Sequence, residues 1–130
     1  MELQEIKDKV IEILGSVLDS EGKKIDDTTK IFTELGMESI ETLEFEFELD
    51  EAFGVKVEDQ DLWKLPGFLA NQQSISASEP PSAEACDILS NSFVGMQSTD
   101  WKAPVTVNDI YAAISVKDIC NWVKRKQQVA

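Results

Sequence analysis

Histidine is absent from this chain of 130 residues, and basic residues are scarce. Twelve Lys and Arg stand against 25 Asp and Glu, which gives a formal net charge of −13. The absence of histidine removes the usual general base, the Ser-His triad and most zinc sites, so we expect no catalysis within this chain. The acidic balance argues against binding to nucleic acid or to anionic membrane surfaces.

Long apolar runs and paired cysteines are missing as well. No stretch approaches the roughly 20 apolar residues of a membrane span, and the N-terminus has no secretory hydrophobic region. Cys86 and Cys120 lie far apart without a disulfide or metal pattern, so we expect two buried thiols in a cytoplasmic protein. The acidic loop at 19–27 does not follow the spacing of a calcium-binding loop, and we expect no metal site.

Acidic residues are concentrated in one stretch, between Glu34 and Asp61. It holds eleven acidic residues and a single basic one, Lys56. A charge block of this density repels itself and disfavours a compact state. We therefore interpret it as a docking surface for a basic partner.

Residues 40–53 are predicted to form a helix, although their local pattern is ambiguous. Apolar and acidic residues alternate from residue 43 to 50, as in a strand. Over the longer window an acidic stripe recurs with the helical period, and Gly54 stands where a left-handed C-cap would end the helix. We expect Ser39 to be its N-cap. The two apolar faces, both expected to be covered by other helices, consist of Ile40, Leu43 and Phe47 and of Phe45, Leu49 and Phe53.

Patterns elsewhere predict further helices. Residues 2–18 form an amphipathic helix, and a long connection over 19–38 is pinned by apolar residues. A short segment from Glu58 to Leu65 is expected to stop at Pro66-Gly67. Near the C-terminus, TVNDIYAAI is followed nine residues later by SVKDICNWV, which predicts two short helices meeting near Ser115 or, alternatively, one bent helix.

Residues 66–105 differ in composition from the rest of the chain. They include five charged residues, seven serines and four prolines, together with too many apolar residues for a solvated linker. We expect an insertion that packs in part, with a short helix capped by Ser82. A disordered linker is the alternative.

The segment Gly36-Met37-Glu38-Ser39-Ile40 resembles the attachment motif of the acyl carrier proteins, Gly-x-Asp-Ser-Leu/Ile, at the start of their second helix. The resemblance covers about 85 residues. It includes the loop before the motif, the acidic helix with its exit at Phe53 and Val57, and SVKDICNWV as the fourth helix.

This resemblance implies an all-α fold, an acyl-carrier-like four-helix bundle in a single domain over 1–130, with the insertion at about 66–105 between the third and last helices. It implies that Ser39 carries 4′-phosphopantetheine donated by coenzyme A. The arm would hold acyl groups as thioesters and deliver them to separate enzymes.

The same resemblance implies several partners. They are a phosphopantetheinyl transferase and the acyl-transfer and chain-elongation enzymes with basic docking patches, and the carrier is expected to be a monomer. The residues expected to contact these partners are Met37, Glu38, Ile40, Glu41, Glu44, Phe47, Asp50 and Glu51. An acyl pocket is expected near Phe45, Leu49 and Leu62, where ordinary core packing is the alternative.

Two features depart from the family's pattern. Glu38 replaces the Asp before the serine, and ordinary members lack the insertion at 66–105. Together they suggest a specialised carrier for a modified lipid, such as a lipopolysaccharide acyl group or an unusual fatty acid, or for a polyketide-like product. The alternatives are a peptidyl or aryl carrier of a peptide-synthetase-like system and an unmodified acidic adaptor with the same fold.

Overall fold

The structure, a computed structural model, describes residues 2–18, 24–97 and 99–129. Over these ranges it is all-helical and holds no β-strand, which confirms the predicted all-α, acyl-carrier-like fold with extra helices. Part of the acidic loop at 19–27 lies outside the described residues. The helices are α1 (Leu3–Val17), α2 (Ser39–Phe53), α3 (Leu65–Asn71), α4 (Ala83–Ser92), α5 (Val107–Ala113) and α6 (Val116–Val129).

The chain divides into two structural units. The first unit combines Met1–Lys56 with Ser115–Ala130, and the second unit is Val57–Ile114. The first therefore contains α1, α2 and α6, while the second contains α3, α4 and α5.

In the first unit α1 packs against both α2 and α6. Ile6, Val10 and Leu14 of α1 are fully buried, because a spacing of four residues places them on one face of the helix. This confirms the predicted amphipathic helix. Leu3, in the first turn, is 46% exposed and lies at the edge of that face.

The connection between α1 and α2 is pinned to the start of α6, so its described part is ordered as predicted. The carbonyl oxygens of Asp27 and Thr29 accept hydrogen bonds from the amides of Lys117 and Val116, at 2.9 and 3.1 Å. Ile31 is fully buried. These bonds and this anchor fix the segment that leads to the beginning of α2.

In the second unit the prediction that Pro66-Gly67 ends a segment is wrong. A 3₁₀ turn at Leu62–Lys64 leads directly into α3, and Pro66 lies in the first turn of that helix. Proline is tolerated there because the amide it lacks would have no partner within the helix. α3 then packs against α5.

The insertion is folded, contrary to the alternative of a disordered linker. The hydroxyl of Ser82 accepts a hydrogen bond from the amide of Ala85 at 3.1 Å, which confirms it as the cap of α4. Leu89 and Phe93 are buried. The 3₁₀ turn at Val94–Met96 packs against α4 and α5.

The repeated C-terminal pattern forms two helices, α5 and α6, as predicted. At α5 the amide of Thr106 donates to the carboxylate of Asp109, and the hydroxyl of Thr106 accepts from the amide of Asp109. At α6 the amide and hydroxyl of Ser115 donate to the carboxylate of Asp118. None of the helices described is long and apolar enough to cross a membrane.

Candidate functional site

Ser39 is exposed and is the first residue of α2. The expectation that it would be the N-cap is wrong, because Glu38 holds that place with extended backbone angles. The amide of Glu38 donates a hydrogen bond of 2.8 Å to the carboxylate of Glu41, so the helix start is stabilised without the serine hydroxyl. That hydroxyl is consequently available for modification.

The backbone around Ser39 suits an anionic group. The amides of the first helical turn lie at the positive end of the helix dipole, and such ends favour phosphate. Thr42, one turn further on, donates its hydroxyl to the carbonyl of Ser39 at 2.6 Å. This bond restrains the carbonyl group of Ser39 and does not involve the amides at the start of the helix.

Gly36 shapes the approach to the serine. Its φ of +69° lies in the left-handed region, which side-chain-bearing residues rarely adopt. A Cβ at this position would meet no atom within 4 Å. The requirement for glycine is therefore conformational, and the space beside the turn is open to a modifying enzyme.

An exposed apolar stripe follows Ser39 along α2. Its members Ile40, Leu43 and Phe47 are 74%, 66% and 62% exposed and lie at positions i, i+3 and i+7. The expectation that both apolar faces of α2 would be covered is wrong for this face. It is correct for the other, because Phe45, Leu49 and Phe53 are buried.

Met37, expected beside these residues as a partner contact, is only 5% exposed. Its amide donates to the carbonyl of Ile31 at 3.2 Å, which holds the residue against the connection before α2. Its side chain is thus part of the interior. Leu43, which was not predicted to contact partners, completes the exposed apolar stripe. Its helical spacing from Ile40 and Phe47 is the signal that could have indicated such a contact.

The acidic surface of α2 consists of residues that differ in exposure and bonding. Glu38, Glu44 and Glu51 are exposed, whereas Glu41 and Asp50 are half-buried. Glu41 is also engaged at the helix start. The structure thus brings Glu41, Glu44, Asp50 and Glu51 onto the same helix as Ser39 and places Glu38 at its N-cap.

The residues expected to line an acyl pocket are buried in their own units. Phe45 and Leu49 are fully buried in the first unit, and Leu62 is 3% exposed in the second. Their role as a pocket stays a prediction. No group of three or more residues suited to a metal ion occurs in the part of the chain that the structure describes.

Comparison with known proteins identifies the family to which this site belongs. The family model described as "Phosphopantetheine attachment site" matches residues 8–68, which include Ser39. An acyl carrier protein of Chlorobium phaeovibrioides is 36% identical over 61 residues, which are 47% of this chain and 78% of the relative. The chain belongs to the acyl carrier protein family.

Two more acyl carrier proteins show similar relationships. That of Rickettsia bellii is 35% identical over 63 residues, covering 46% of this chain and 74% of the relative. That of Chloroherpeton thalassium is 29% identical over 65 residues, covering 50% and 81%. No solved structure matches at the same level of significance. The family model's match ends at residue 68, so α4, α5 and α6 lie beyond it.

As an acyl carrier protein, this chain is a carrier and not a catalyst, and it holds acyl groups through covalently attached 4′-phosphopantetheine. Its residues fit that group. The match includes one exposed serine at a helix N-terminus, beside a glycine turn with open space around it. The serine hydroxyl is the group that forms the ester bond to phosphorus, and the helix N-terminus favours the resulting anion.

Proposed function

We propose that Ser39 is the residue to which 4′-phosphopantetheine is attached, and that this carrier delivers acyl intermediates to separate enzymes of a specialised lipid or polyketide-like pathway. The observation that supports this attachment site is the exposure of Ser39 at the first position of α2, inside the segment that the family model matches. The Glu38 amide and the Glu41 carboxylate stabilise the helix start, so modification of Ser39 leaves that cap intact.

The chain's own residues position the modification rather than catalyse it. When attached, the arm supplies a terminal thiol that holds the acyl group as a thioester. The hydroxyl of Ser39 provides the bond to phosphorus, and the amides at the start of α2 stabilise the resulting anion. A transferase supplies the base, in keeping with a chain that has no histidine.

Partner enzymes would bind α2 through two adjoining features, the acidic surface and the exposed apolar stripe. Glu44 and Glu51 would meet Lys and Arg on the partner, which increases the association rate and sets the register. Ile40 and Phe47 would then lose their exposed apolar area to the partner. These partners are a phosphopantetheinyl transferase and acyl-transfer or chain-elongation enzymes.

The specialised pathway is supported by the two departures from the family's pattern. Glu38 stands where the family's motif has Asp, and its carboxylate reaches one methylene further. Residues 66–105 contribute α4 and most of the second unit's other structure. We infer a single carrier domain with this insertion, dedicated to a modified fatty acid or a polyketide-like product.

Intact-mass analysis after incubation with coenzyme A and a phosphopantetheinyl transferase tests the attachment. We expect one added phosphopantetheine on the natural chain and on Ser82→Ala, and none on Ser39→Ala. Ser82 is a matched control because it is also an exposed serine at the start of a helix, α4. No added mass with several transferases would instead indicate an unmodified acidic adaptor.

The class of cargo is tested on the modified protein. Fatty, amino and aryl acids are offered with their respective ligases, and the loaded product is measured by mass. We expect loading of fatty acids. Preferential loading of amino or aryl acids would indicate a peptidyl or aryl carrier and would contradict the lipid assignment.

A further inference from the structure

The second unit contains an apolar cavity of about 260 Å³ between the chain that follows α3 and the start of α5. After α3 the chain reverses, with the amide of Ser74 bonded to the carbonyl of Leu69 at 2.9 Å. The amide of Ser82 then bonds to the carbonyl of Ser74 at 3.0 Å, which closes a loop over 74–82. This closed loop forms one wall of the cavity.

The lining of the cavity is almost entirely aliphatic. None of the described residues that line it is charged, although the chain as a whole is strongly acidic. Ile75 and Val105 are buried, whereas Ala77 is exposed, so the cavity runs from the interior to the surface. The aliphatic lining residues are Ala70, Ile75, Ala77, Val105 and Val107.

The two hydroxyl residues at the cavity are engaged within the protein. The Oγ of Ser76 accepts a hydrogen bond from the amide of Glu79 at 3.1 Å. The Oγ1 of Thr106 accepts from the amide of Asp109 at 3.2 Å. Since these oxygens already serve the loop and the cap of α5, the cavity offers little to a polar ligand and favours a hydrocarbon.

The volume sets how many carbons of such a hydrocarbon the cavity can enclose. An apolar cavity of roughly 150 Å³ holds the six carbons of benzene in another protein. By that scale a cavity of about 260 Å³ accommodates roughly eight to ten carbons. This is the size of a medium-length acyl chain.

We propose that this cavity, formed by the loop over 74–82 and the start of α5, binds the hydrocarbon portion of an acyl group of about eight to ten carbons. The proposal rests on the proposed function, which supplies acyl groups as the cargo. It defines a site distinct from the pocket expected at Phe45, Leu49 and Leu62, none of which lines this cavity. Each methylene that the bound chain removes from water would make binding more favourable.

The test uses the full, unmodified chain labelled for NMR, titrated with S-acyl pantetheines whose acyl groups carry four, six, eight or ten carbons. These probes are uncharged and need no attachment to Ser39. We expect the methyl signals of Ile75, Val105 and Val107 to shift, with affinity rising about fourfold for each added methylene. Shifts confined to Phe45 and Leu49, equal shifts with pantetheine alone, or no shifts would overturn the proposal.

Two exposed positions of the same loop provide a variant and its matched control. Ala77→Phe places a ring at a residue that lines the cavity, whereas Ser78→Phe places the same ring at a neighbour that does not. We expect the first to weaken binding of the eight-carbon probe at least tenfold and the second to leave it within twofold. Equal effects would overturn the proposal. Because unmodified protein is used, this result is independent of whether Ser39 is phosphopantetheinylated.

Discussion

The backbone amide of Glu38 donates a hydrogen bond of 2.8 Å to the carboxylate of Glu41 across the first turn of α2. This bond brackets Ser39 and stabilises the helix start without its hydroxyl. It also distinguishes Glu41 from Glu44, although both are acidic residues of α2. Glu41 is structural as well as acidic, whereas Glu44 is exposed to solvent.

The first prediction contrasts Glu41→Ala with Glu44→Ala. Glu41→Ala removes the bond to the Glu38 amide and should lower the free energy of unfolding by about 0.5–1 kcal/mol. Glu44→Ala should change it by less than about 0.5 kcal/mol but slow modification of Ser39 at low salt by about two- to tenfold. Urea unfolding and transferase kinetics measure the two effects. A larger loss of stability for Glu44→Ala would contradict the assignment.

The second prediction concerns two phenylalanines on opposite faces of α2. Phe45 is fully buried, so Phe45→Ala should cost about 3–5 kcal/mol of unfolding free energy. Phe47 is 62% exposed, so Phe47→Ala should cost less than about 1 kcal/mol.

Phe47→Ala also distinguishes an effect on partner binding from an effect on folding. Affinity for a partner enzyme, measured by calorimetry, should fall about fivefold or more in Phe47→Ala, because the variant loses an apolar contact of the interface. Leu3→Ala is a control, because Leu3 is an exposed apolar residue on α1. Equal loss of affinity in both variants would argue against a specific apolar stripe.

A third prediction uses the two related caps at α5 and α6. Asp118 is fully buried and accepts hydrogen bonds from the Ser115 amide and hydroxyl at 2.9 and 3.1 Å. Asp118→Ala leaves these donors without that acceptor and should cost about 1–3 kcal/mol. Asp109→Ala removes the equivalent exposed bond to Thr106 and should cost about 0.5–1 kcal/mol. Denaturant unfolding of both variants checks the order, and a reversed order would contradict it.

The fourth prediction is a pH dependence from Cys120. Burial raises the pKa of this thiol from its ordinary value of 9.0 to about 11. The folded state therefore retains a proton that the unfolded state releases, so this contribution to stability is full below pH 9.0 and is lost as pH rises towards about 11.

Unfolding by urea at pH 8, 9 and 10 measures this loss. Cys120→Ala should show a smaller decline in stability over that range than the natural chain. Cys86→Ala serves as the comparison, because Cys86 is only half-buried; its pKa is also raised, by burial and by Asp87, so we expect Cys86→Ala to change the pH dependence less than Cys120→Ala does. An identical pH dependence in the natural chain and Cys120→Ala would refute the prediction.

Sequence patterns predicted those elements whose signals are local. The caps at Ser82 and Gly54 and the apolar face of α1 depend on neighbouring residues, and each is confirmed. The prediction that Pro66 ends a segment failed because proline is common both after a helix and in the first turn of a helix. The local sequence does not distinguish these two positions.

Burial was harder to predict because it depends on distant parts of the chain. Helical spacing identified the face formed by Ile40 and Phe47 but not whether another helix would cover it. The family resemblance predicts Met37 as a partner contact beside the arm, yet its side chain is buried in the structure. Family resemblance predicted Ser39 as the candidate site, whereas the cavity in the second unit depends on the closed loop and left no sequence signal.

The most direct test of the account is to locate the attached group within the modified protein. Trypsin cleavage after Lys30 and Lys56 releases a peptide, residues 31–56, in which Ser39 is the only serine. Fragmentation of this peptide by mass spectrometry should place the entire phosphopantetheine mass on Ser39. The same mass on any other residue, or its absence from the peptide of a protein that is modified elsewhere, would contradict the account.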